Sequence, residues 1–85
     1  MPYPNEHSCR LMPSRAFVSF RRKNKQMYSE GKPIDVVYGI FVDSNGNYKT
    51  RIQSLRYPTS QWRAIDALRH CEKHGGEFHP SKRRT

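Results

Sequence analysis

The strongest constraint on the fold is an apolar run, DVVYGIFV (35–42), followed by a turn signal and a second, alternating run. β-Branched and aromatic residues in such a run are typical of a strand. The next four residues, DSNG (43–46), contain Asn45 and Gly46, a pair that readily adopts the positive φ of tight hairpin turns. Residues 47–58, NYKTRIQSLRYP, therefore return as the partner strand of an antiparallel β-hairpin.

The partner strand has two faces of different character, because successive side chains of a strand point to opposite sides. The face that can join a core contains Tyr48, Thr50 and Ile52. The face expected to point into solvent is basic and polar and contains Lys49, Arg51 and Gln53. Leu55 breaks this alternation, which predicts a bulge or twist near Ser54.

The stretch TSQWRAIDALRHCEKHGG (59–76) predicts a helix over about 60–74. Thr59 or Ser60 can cap its first turn, and Gly75 fits the left-handed position that ends many helices. An apolar stripe at helical spacing is expected to face the hairpin and contains Ala64, Ile65, Leu68 and Cys71. We therefore predict an α+β fold in which one helix packs across an antiparallel hairpin or small sheet of three or four strands.

The chain is short enough to form one domain over residues 1–85. Three prolines predict that residues 1–14 form an extended, mostly irregular N-terminal arm. Near the other end, residues 77–80 (EFHP) can add a short edge strand. Residues 81–85 (SKRRT) are expected to form a basic, flexible tail.

Basic residues dominate the charge of the chain, with 16 Lys and Arg against 7 Asp and Glu and a formal net charge of +9. Such an excess favours polyanions. The run RRKNKQ (21–26) fits a loop or a strand end. Together with the second strand of the hairpin it supplies the residues that we expect to contact phosphates: Arg21, Arg22, Lys23, Lys49, Arg51 and Arg56. We predict a nucleic-acid-binding module, for DNA or RNA, whose binding is led by the backbone and sensitive to salt. A basic face that only solubilises the chain is the alternative.

A protein-binding module is the alternative function. An edge strand can add to a partner's sheet, and basic charge would steer the chain toward an acidic surface. Tyr57 and Trp62 would anchor such a partner if they were exposed, because aromatic residues dominate interface hot spots.

A small zinc-stapled domain is a second alternative, with His7, Cys9, Cys71 and His74 as the candidate metal ligands, or with His70 or His79 recruited to the site. However, Cys71 fits a small core residue on the predicted stripe, and His74 fits the negative end of the helix dipole. We therefore predict no metal and no other cofactor, with both cysteines as reduced thiols.

No catalytic pattern is apparent in the sequence, and we predict that the chain is not an enzyme. Glu6 and His7 are adjacent in an extended arm, so their side chains point to opposite sides, and no nucleophile elbow, phosphate loop or carboxylate pair accompanies them. No apolar run approaches the ~20 residues of a membrane span, and no secretory signal is visible. We expect no membrane partner and a cytoplasmic location.

Several motifs together resemble a small module of tailed bacteriophages. They are YPNEHSCRL (3–11), FRRKN (20–24), SLRYP (54–58) followed by Trp62, and a final EFHP (77–80). The module occurs alone or at the front of head-maturation (prohead) proteases. The resemblance implies a phage or prophage origin, the host cytoplasm as location, and a capsid component or a modulated host protein as the protein partner. It implies no reaction.

Overall fold

The computed structural model describes residues 3–82, which form a five-stranded antiparallel sheet and one α-helix. The elements are β1 (Glu6–Arg10), β2 (Ser19–Ser29), β3 (Lys32–Val42), β4 (Tyr48–Pro58), α1 (Ala64–Lys73) and β5 (Glu77–His79), with one turn of 3-10 helix (Ser14–Ala16) before β2. The sheet order is β2-β3-β4-β1-β5. The predicted α+β class is confirmed, but the sheet has five strands where three or four were expected.

The predicted hairpin is present as β3 and β4. Gly46 has a φ of +81°, which suits the turn. The Asp43 carboxylate accepts hydrogen bonds from the backbone N–H groups of Asn45 and Asn47, both at 2.9 Å. These local contacts explain why the hairpin is visible in the sequence.

The bulge predicted near Ser54 is also present. Val37 pairs with Ser54 and Tyr38 pairs with Ile52, which leaves Gln53 as an extra residue in β4. An extra residue bends its strand and increases the local twist. The sheet therefore curves at this position.

The basic run at 21–26 is not a loop but the middle of β2, an edge strand of the sheet. Glu30 and Gly31, with φ of 52° and 78°, connect β2 to β3 in a two-residue turn. Charged and polar side chains occupy most of β2, so the usual apolar alternation of a strand is missing from its sequence.

The N-terminal arm contains a strand of the sheet interior, contrary to the prediction that it is mostly irregular. β1 lies between β4 and β5 and pairs with both. Its buried residues include the polar His7 and Ser8 as well as Cys9. Polar and apolar residues do not alternate along β1, so its sequence lacks the usual signal of a strand. Its position in the sheet comes from the pairing of both its edges.

The helix begins later than predicted, at Ala64. Before it, the backbone N–H of Trp62 donates to the Pro58 carbonyl at 2.9 Å, which closes a separate turn. Thr59 and Ser60 belong to this turn, so neither caps the helix as predicted.

The end of α1 is as predicted, since Gly75 has a φ of +71°. Its buried face is different from the predicted stripe. Ala67 and Cys71 are fully buried, whereas Ala64 and Ile65 are exposed. The reason is that α1 packs against β1 and β5 instead of lying across the hairpin.

The core lies between α1 and one end of the sheet. Its buried residues are Cys9, Ile34, Val36, Leu55, Tyr57, Trp62, Ala67 and Cys71. Cys9 and Cys71 form a disulfide with a Cα–Cα distance of 5.5 Å, which links β1 to α1. The prediction that both cysteines are reduced thiols is therefore wrong in this structure, because the unpredicted strand β1 places Cys9 beneath α1.

The beginning of the predicted flexible tail is tied to the N-terminal segment. The Ser81 N–H donates to Nδ1 of His7 at 2.8 Å, and the Lys82 N–H donates to the Tyr3 carbonyl at 2.9 Å. The remainder of the predicted tail, residues 83–85, lies outside the described residues. Within residues 3–82, no helix has the length and apolar character needed to span a membrane.

Candidate nucleic-acid interface

The helix covers only one end of the sheet face on which it packs. Ile34 and Val36 of β3 are buried in the same cluster as Ala67 and Cys71 of α1, whereas Tyr38 and Ile40, further along the same face, are partly exposed. Because alternate residues of a strand share a face, this surface continues beyond the helix. We call it the open face and define it by Arg21, Lys23, Tyr38, Ile40, Tyr48 and Thr50.

The open face is a shallow trough with a volume of about 570 Å³. Along β3 it extends from the level of Val36 to that of Val42, roughly 20 Å at 3.3–3.4 Å per residue. Gln53 in β4 and the register shift between Lys23 and Met27 in β2 bend the two flanking strands. The trough is therefore long enough for several units of an extended polymer.

The lining of the open face is basic and aromatic. Arg21 and Lys23 lie two residues apart on β2, so both side chains point to the same side. Within residues 3–82, neither side chain forms an ion pair. Tyr48 is 76% exposed, and none of the described residues that line the trough is acidic. The trough thus offers donors to phosphate oxygens beside a free aromatic surface.

Among the predicted phosphate contacts, only Arg21 and Lys23 lie on the open face. Lys49 and Arg51 point to the opposite side of the sheet, because they alternate with the open-face residues of β4. The ammonium of Lys49 also lies 4.0 Å from the Asp43 carboxylate. The structure therefore does not bring these four side chains into one site.

The opposite face carries an aromatic cluster instead of an open trough. The Phe17 ring packs directly over Gly39, where no side chain intervenes. The ring centroids of Phe20 and Phe41 lie 5.9 and 6.2 Å from that of Phe17. The Arg51 guanidinium lies 5.7 Å from the centre of the Phe41 ring. Arg51 is thus already in contact with an aromatic neighbour.

The remaining two predicted phosphate contacts, Arg22 and Arg56, bind carboxylates. Arg22 donates to Glu6 at 2.6 and 3.0 Å and to Asp35 at 2.8 Å, and Arg56 donates to Glu6 at 2.9 Å. We therefore correct the prediction for these residues. Their ion pairs link the four strands β1, β2, β3 and β4, and the carboxylates neutralise their charges. Arg56 is also largely shielded, with 12% of its side chain exposed and the Tyr3 ring 4.2 Å away.

The hydrogen bonds of this ion network favour the ionised form of Glu6. Burial alone would raise the pKa of Glu6, but the hydrogen bonds from Arg22 and Arg56 outweigh it and hold that pKa below its usual value. The hydrogen bond to Glu6 is also the main reason why the pKa of Arg22 is raised. Glu6 is therefore ionised at neutral pH and serves as the centre of the network.

Tyr57 and Trp62, the proposed anchors for a protein partner, are core residues. Tyr57 is fully buried and Trp62 is 4% exposed, with their rings 5.0 Å apart. The Tyr57 hydroxyl hydrogen-bonds to Nδ1 of His70 at 2.8 Å, and the indole N–H of Trp62 donates to the Pro33 carbonyl at 2.8 Å. The expectation that these two residues form a docking surface is therefore corrected.

The four candidate zinc ligands are not arranged around a common point. Cys9 and Cys71 are bonded to each other. His7 accepts a hydrogen bond from the Ser81 backbone, and His74 lies at the end of α1. In the described part of the chain, no three His, Cys, Asp or Glu side chains are grouped in a way that could hold a metal ion.

The most exposed aromatic residue of the open face was missed by sequence reasoning. Tyr48 was expected to join a core because it alternates with Thr50 and Ile52. In the structure it lies beyond the reach of α1, at the hairpin end of β4. The available signal was its position next to the DSNG turn, since a short helix that packs elsewhere cannot cover that end.

The motifs that resemble the phage module lie mainly in the frame of the fold. Glu6 and His7 belong to β1, Arg22 binds Glu6, and the Phe78 ring lies 5.8 Å from that of His7. Trp62 closes the core. These residues hold the sheet together rather than line the open face, and the resemblance stays a prediction. Comparison of the chain with protein-family models, with curated proteins and with solved structures gave no match.

Proposed function

We propose that this chain is a small, non-enzymatic module that binds nucleic acid at the open face, mainly through phosphates. The observation that carries the proposal is the placement of Arg21 and Lys23 on a concave surface whose described lining contains no acid. The net charge of +9 supports it, because a basic chain gains affinity for polyanions through counterion release. Phosphate contacts of this kind position a ligand without reading its sequence.

The non-enzymatic part of the proposal is supported by the chemistry of the lining. The hydroxyls of Ser19 and Thr50 are present, but none of the described lining residues is a His, Cys, Asp or Glu. A hydroxyl nucleophile needs an adjacent general base to react at neutral pH. The open face therefore has the groups for binding but lacks the usual groups for nucleophilic catalysis.

Fluorescence anisotropy with labelled oligonucleotides at about 50 and about 200 mM salt tests the proposal. We expect affinity to fall steeply as salt rises. Replacing Arg21 and Lys23 together by Ala should weaken binding and reduce the salt slope by about 1.4 to 1.8, since each lost phosphate contact removes roughly 0.7 to 0.9.

The matched control is the double variant Lys49→Ala/Arg51→Ala, which removes the same charge from the opposite face of the same sheet, on strand β4. It should weaken binding much less than the open-face pair. Equal loss in the two double variants would mean that only net charge matters, and absence of binding at low salt would refute the proposal.

A protein-binding module is the second candidate, and exposed apolar residues favour it. Val18, Phe20 and Val42 are 67%, 48% and 45% exposed. Val18 precedes the edge strand β2 and Phe20 lies at its start; the outer side of β2 is unpaired in the described sheet and could accept a partner's strand. The partner would be a phage capsid component or a host protein. If Val18→Asp abolished binding of a purified partner and Arg21→Ala/Lys23→Ala did not, the result would favour this candidate.

We also propose a phage or prophage origin with residence in the host cytoplasm, for which the resemblance is the support. The redox state of the cysteines bears on this location, because a reducing cytoplasm keeps most thiols unpaired. The zinc-stapled alternative needs Cys9 and Cys71 as thiolates and so competes with the disulfide. Native mass spectrometry of protein prepared without reductant or chelator separates a zinc adduct from a disulfide-linked chain.

A further inference from the structure

We infer that the open face binds a single strand of nucleic acid, with bases stacked on Tyr48 and Tyr38 and the backbone held by Arg21 and Lys23. This inference rests on the proposed function and adds the class of ligand. Its basis is the combination, on one concave surface, of an exposed tyrosine and a partly exposed one with cations that have no acidic partner among residues 3–82.

Tyr48 provides the first stacking surface. It lies on a regular part of β4 and pairs across from Val42, which is 45% exposed. A tyrosine ring on a strand has few rotatable bonds, so a base can stack on it with little loss of conformational freedom. Base–aromatic stacking does not depend on the identity of the base, because every base has a π-face.

Tyr38 provides the second stacking surface, and Arg21 lies directly beside it. Tyr38 packs against the core cluster on one side and lines the open face on the other, so its position is fixed. In the sheet register Arg21 is the partner of Tyr38 on the neighbouring strand. A base on Tyr38 would therefore have a guanidinium next to its phosphate.

The distance between the two tyrosines suits a run of nucleotides. Tyr38 and Val42, the partner of Tyr48, are four residues apart on β3, which corresponds to roughly 13 Å. One base cannot contact both rings at this distance. Successive bases along a single strand can, with Ile40 and Thr50 forming the floor between them.

The shape of the open face favours a single strand over a duplex. A β-ribbon that reads duplex DNA enters the major groove, about 12 Å wide, as a protruding element. The open face is instead a shallow trough lined by residues of β2, β3 and β4, so it does not protrude into a groove. A duplex also keeps its base faces stacked inside, where Tyr48 and Tyr38 could not reach them.

The test compares probes that share charge but differ in bases. The purified protein with its disulfide intact is titrated with a labelled oligothymidylate of about ten nucleotides and with a duplex of the same length. Inorganic polyphosphate and polyglutamate serve as competitors that carry charge without bases. We expect the single strand to bind more tightly than the duplex, polyphosphate to displace it in part because it competes for Arg21 and Lys23, and polyglutamate to displace it poorly.

The variants separate stacking from charge. Tyr48→Ala should weaken binding of the single strand roughly 5- to 150-fold and leave the salt slope unchanged, because no phosphate contact is lost. Tyr48→Phe keeps the ring and should bind like the wild type. Since Tyr48 is 76% exposed, both variants should unfold at the wild-type temperature, which circular dichroism checks.

Different failures point to different conclusions. The inference is overturned if the duplex binds more tightly than the single strand, or if Tyr48→Ala binds like Tyr48→Phe. In either case, a loss of affinity in Arg21→Ala/Lys23→Ala would still support phosphate binding at this face. If polyglutamate displaces the oligonucleotide as well as polyphosphate does and Tyr48→Ala has no effect, an acidic protein becomes the better ligand. If no nucleic acid binds at low salt, both the inference and the proposed function fail.

Discussion

Loss of the Cys9–Cys71 disulfide should remove a large part of the stability of this chain. The bond joins residues 62 apart in sequence. In the chain-entropy model, opening a loop of this length returns about 14 cal/mol/K to the unfolded chain, or about 4 kcal/mol at 25 °C. Natural domains are stable by roughly 0.05–0.15 kcal/mol per residue, which corresponds to about 4–13 kcal/mol for a chain of this size. The expected loss is therefore comparable with the total.

The helix explains why the disulfide matters so much. α1 has ten residues and buries only Ala67 and Cys71 completely. Isolated helices shorter than about 12–15 residues are marginal in water, so α1 depends on being held against the sheet. Cys71 is both a buried residue of α1 and its covalent link to β1. Reduction therefore weakens the helix at the point where it is most firmly attached.

Urea and thermal unfolding, followed by circular dichroism, measure the effect in the presence and absence of reductant. The double variant Cys9→Ala/Cys71→Ala should lose about 4 kcal/mol of unfolding free energy, which corresponds to a midpoint lower by roughly 15–30 °C. Reductant should lower the wild-type midpoint and leave that of the double variant unchanged. A loss below about 1 kcal/mol in both comparisons would refute the entropic argument and show that α1 is held by packing alone.

Three further predictions concern the frame of the fold. Glu6→Gln removes a negative charge that is paired with Arg22 and Arg56. The free energy of unfolding should fall by about 2 kcal/mol, between the values for exposed and buried ion pairs. Urea unfolding measures this loss, and an unchanged midpoint would contradict the prediction. Burial lowers the pKa values of His7 and His70 below 6.5, so below about pH 6.5 the unfolded chain binds more protons than the folded one. The free energy of unfolding should therefore fall with pH in this range, by at most about 1.4 kcal/mol per pH unit for each histidine. Melting temperatures between pH 8 and 5 check this, and a flat or rising profile toward pH 5 would refute it. Gly39→Ala would place its methyl group within the Phe17 ring, so we expect a loss of about 1–3 kcal/mol in urea unfolding, and a variant as stable as the wild type would show that the ring can move aside.

The parts of the fold that sequence reasoning predicted are those whose causes are local. The β3–β4 hairpin follows from the apolar run and from its turn. In that turn the Asp43 carboxylate accepts hydrogen bonds from nearby backbone N–H groups, and Gly46 adopts a positive φ. The end of α1 follows from Gly75, which adopts the positive φ that other residues avoid. In each case, residues within one turn or one strand determine the result.

The parts that it missed depend on contacts between distant segments. β1 is a strand because β4 and β5 pair with its two edges, and its own residues are too polar to indicate burial. Glu6 meets Arg22 and Arg56 across 16 and 50 residues of sequence. A count of basic residues cannot distinguish an arginine that is already paired from one that is free. For this reason Arg22 and Arg56 were predicted to contact phosphates although they hold the sheet.

The fold separates the residues that provide stability from those that offer a binding surface. β1 carries both Glu6, the centre of the ion network, and Cys9, the anchor of the helix, so changes in β1 should act mainly on unfolding. Arg21, Lys23 and Tyr48 lie on the other part of the sheet, where the described structure gives none of them a charged partner or a core contact. Changes there should act on binding with little effect on unfolding. A set of variants that shows these two separate effects would establish the open face as a site that the fold leaves free for a ligand.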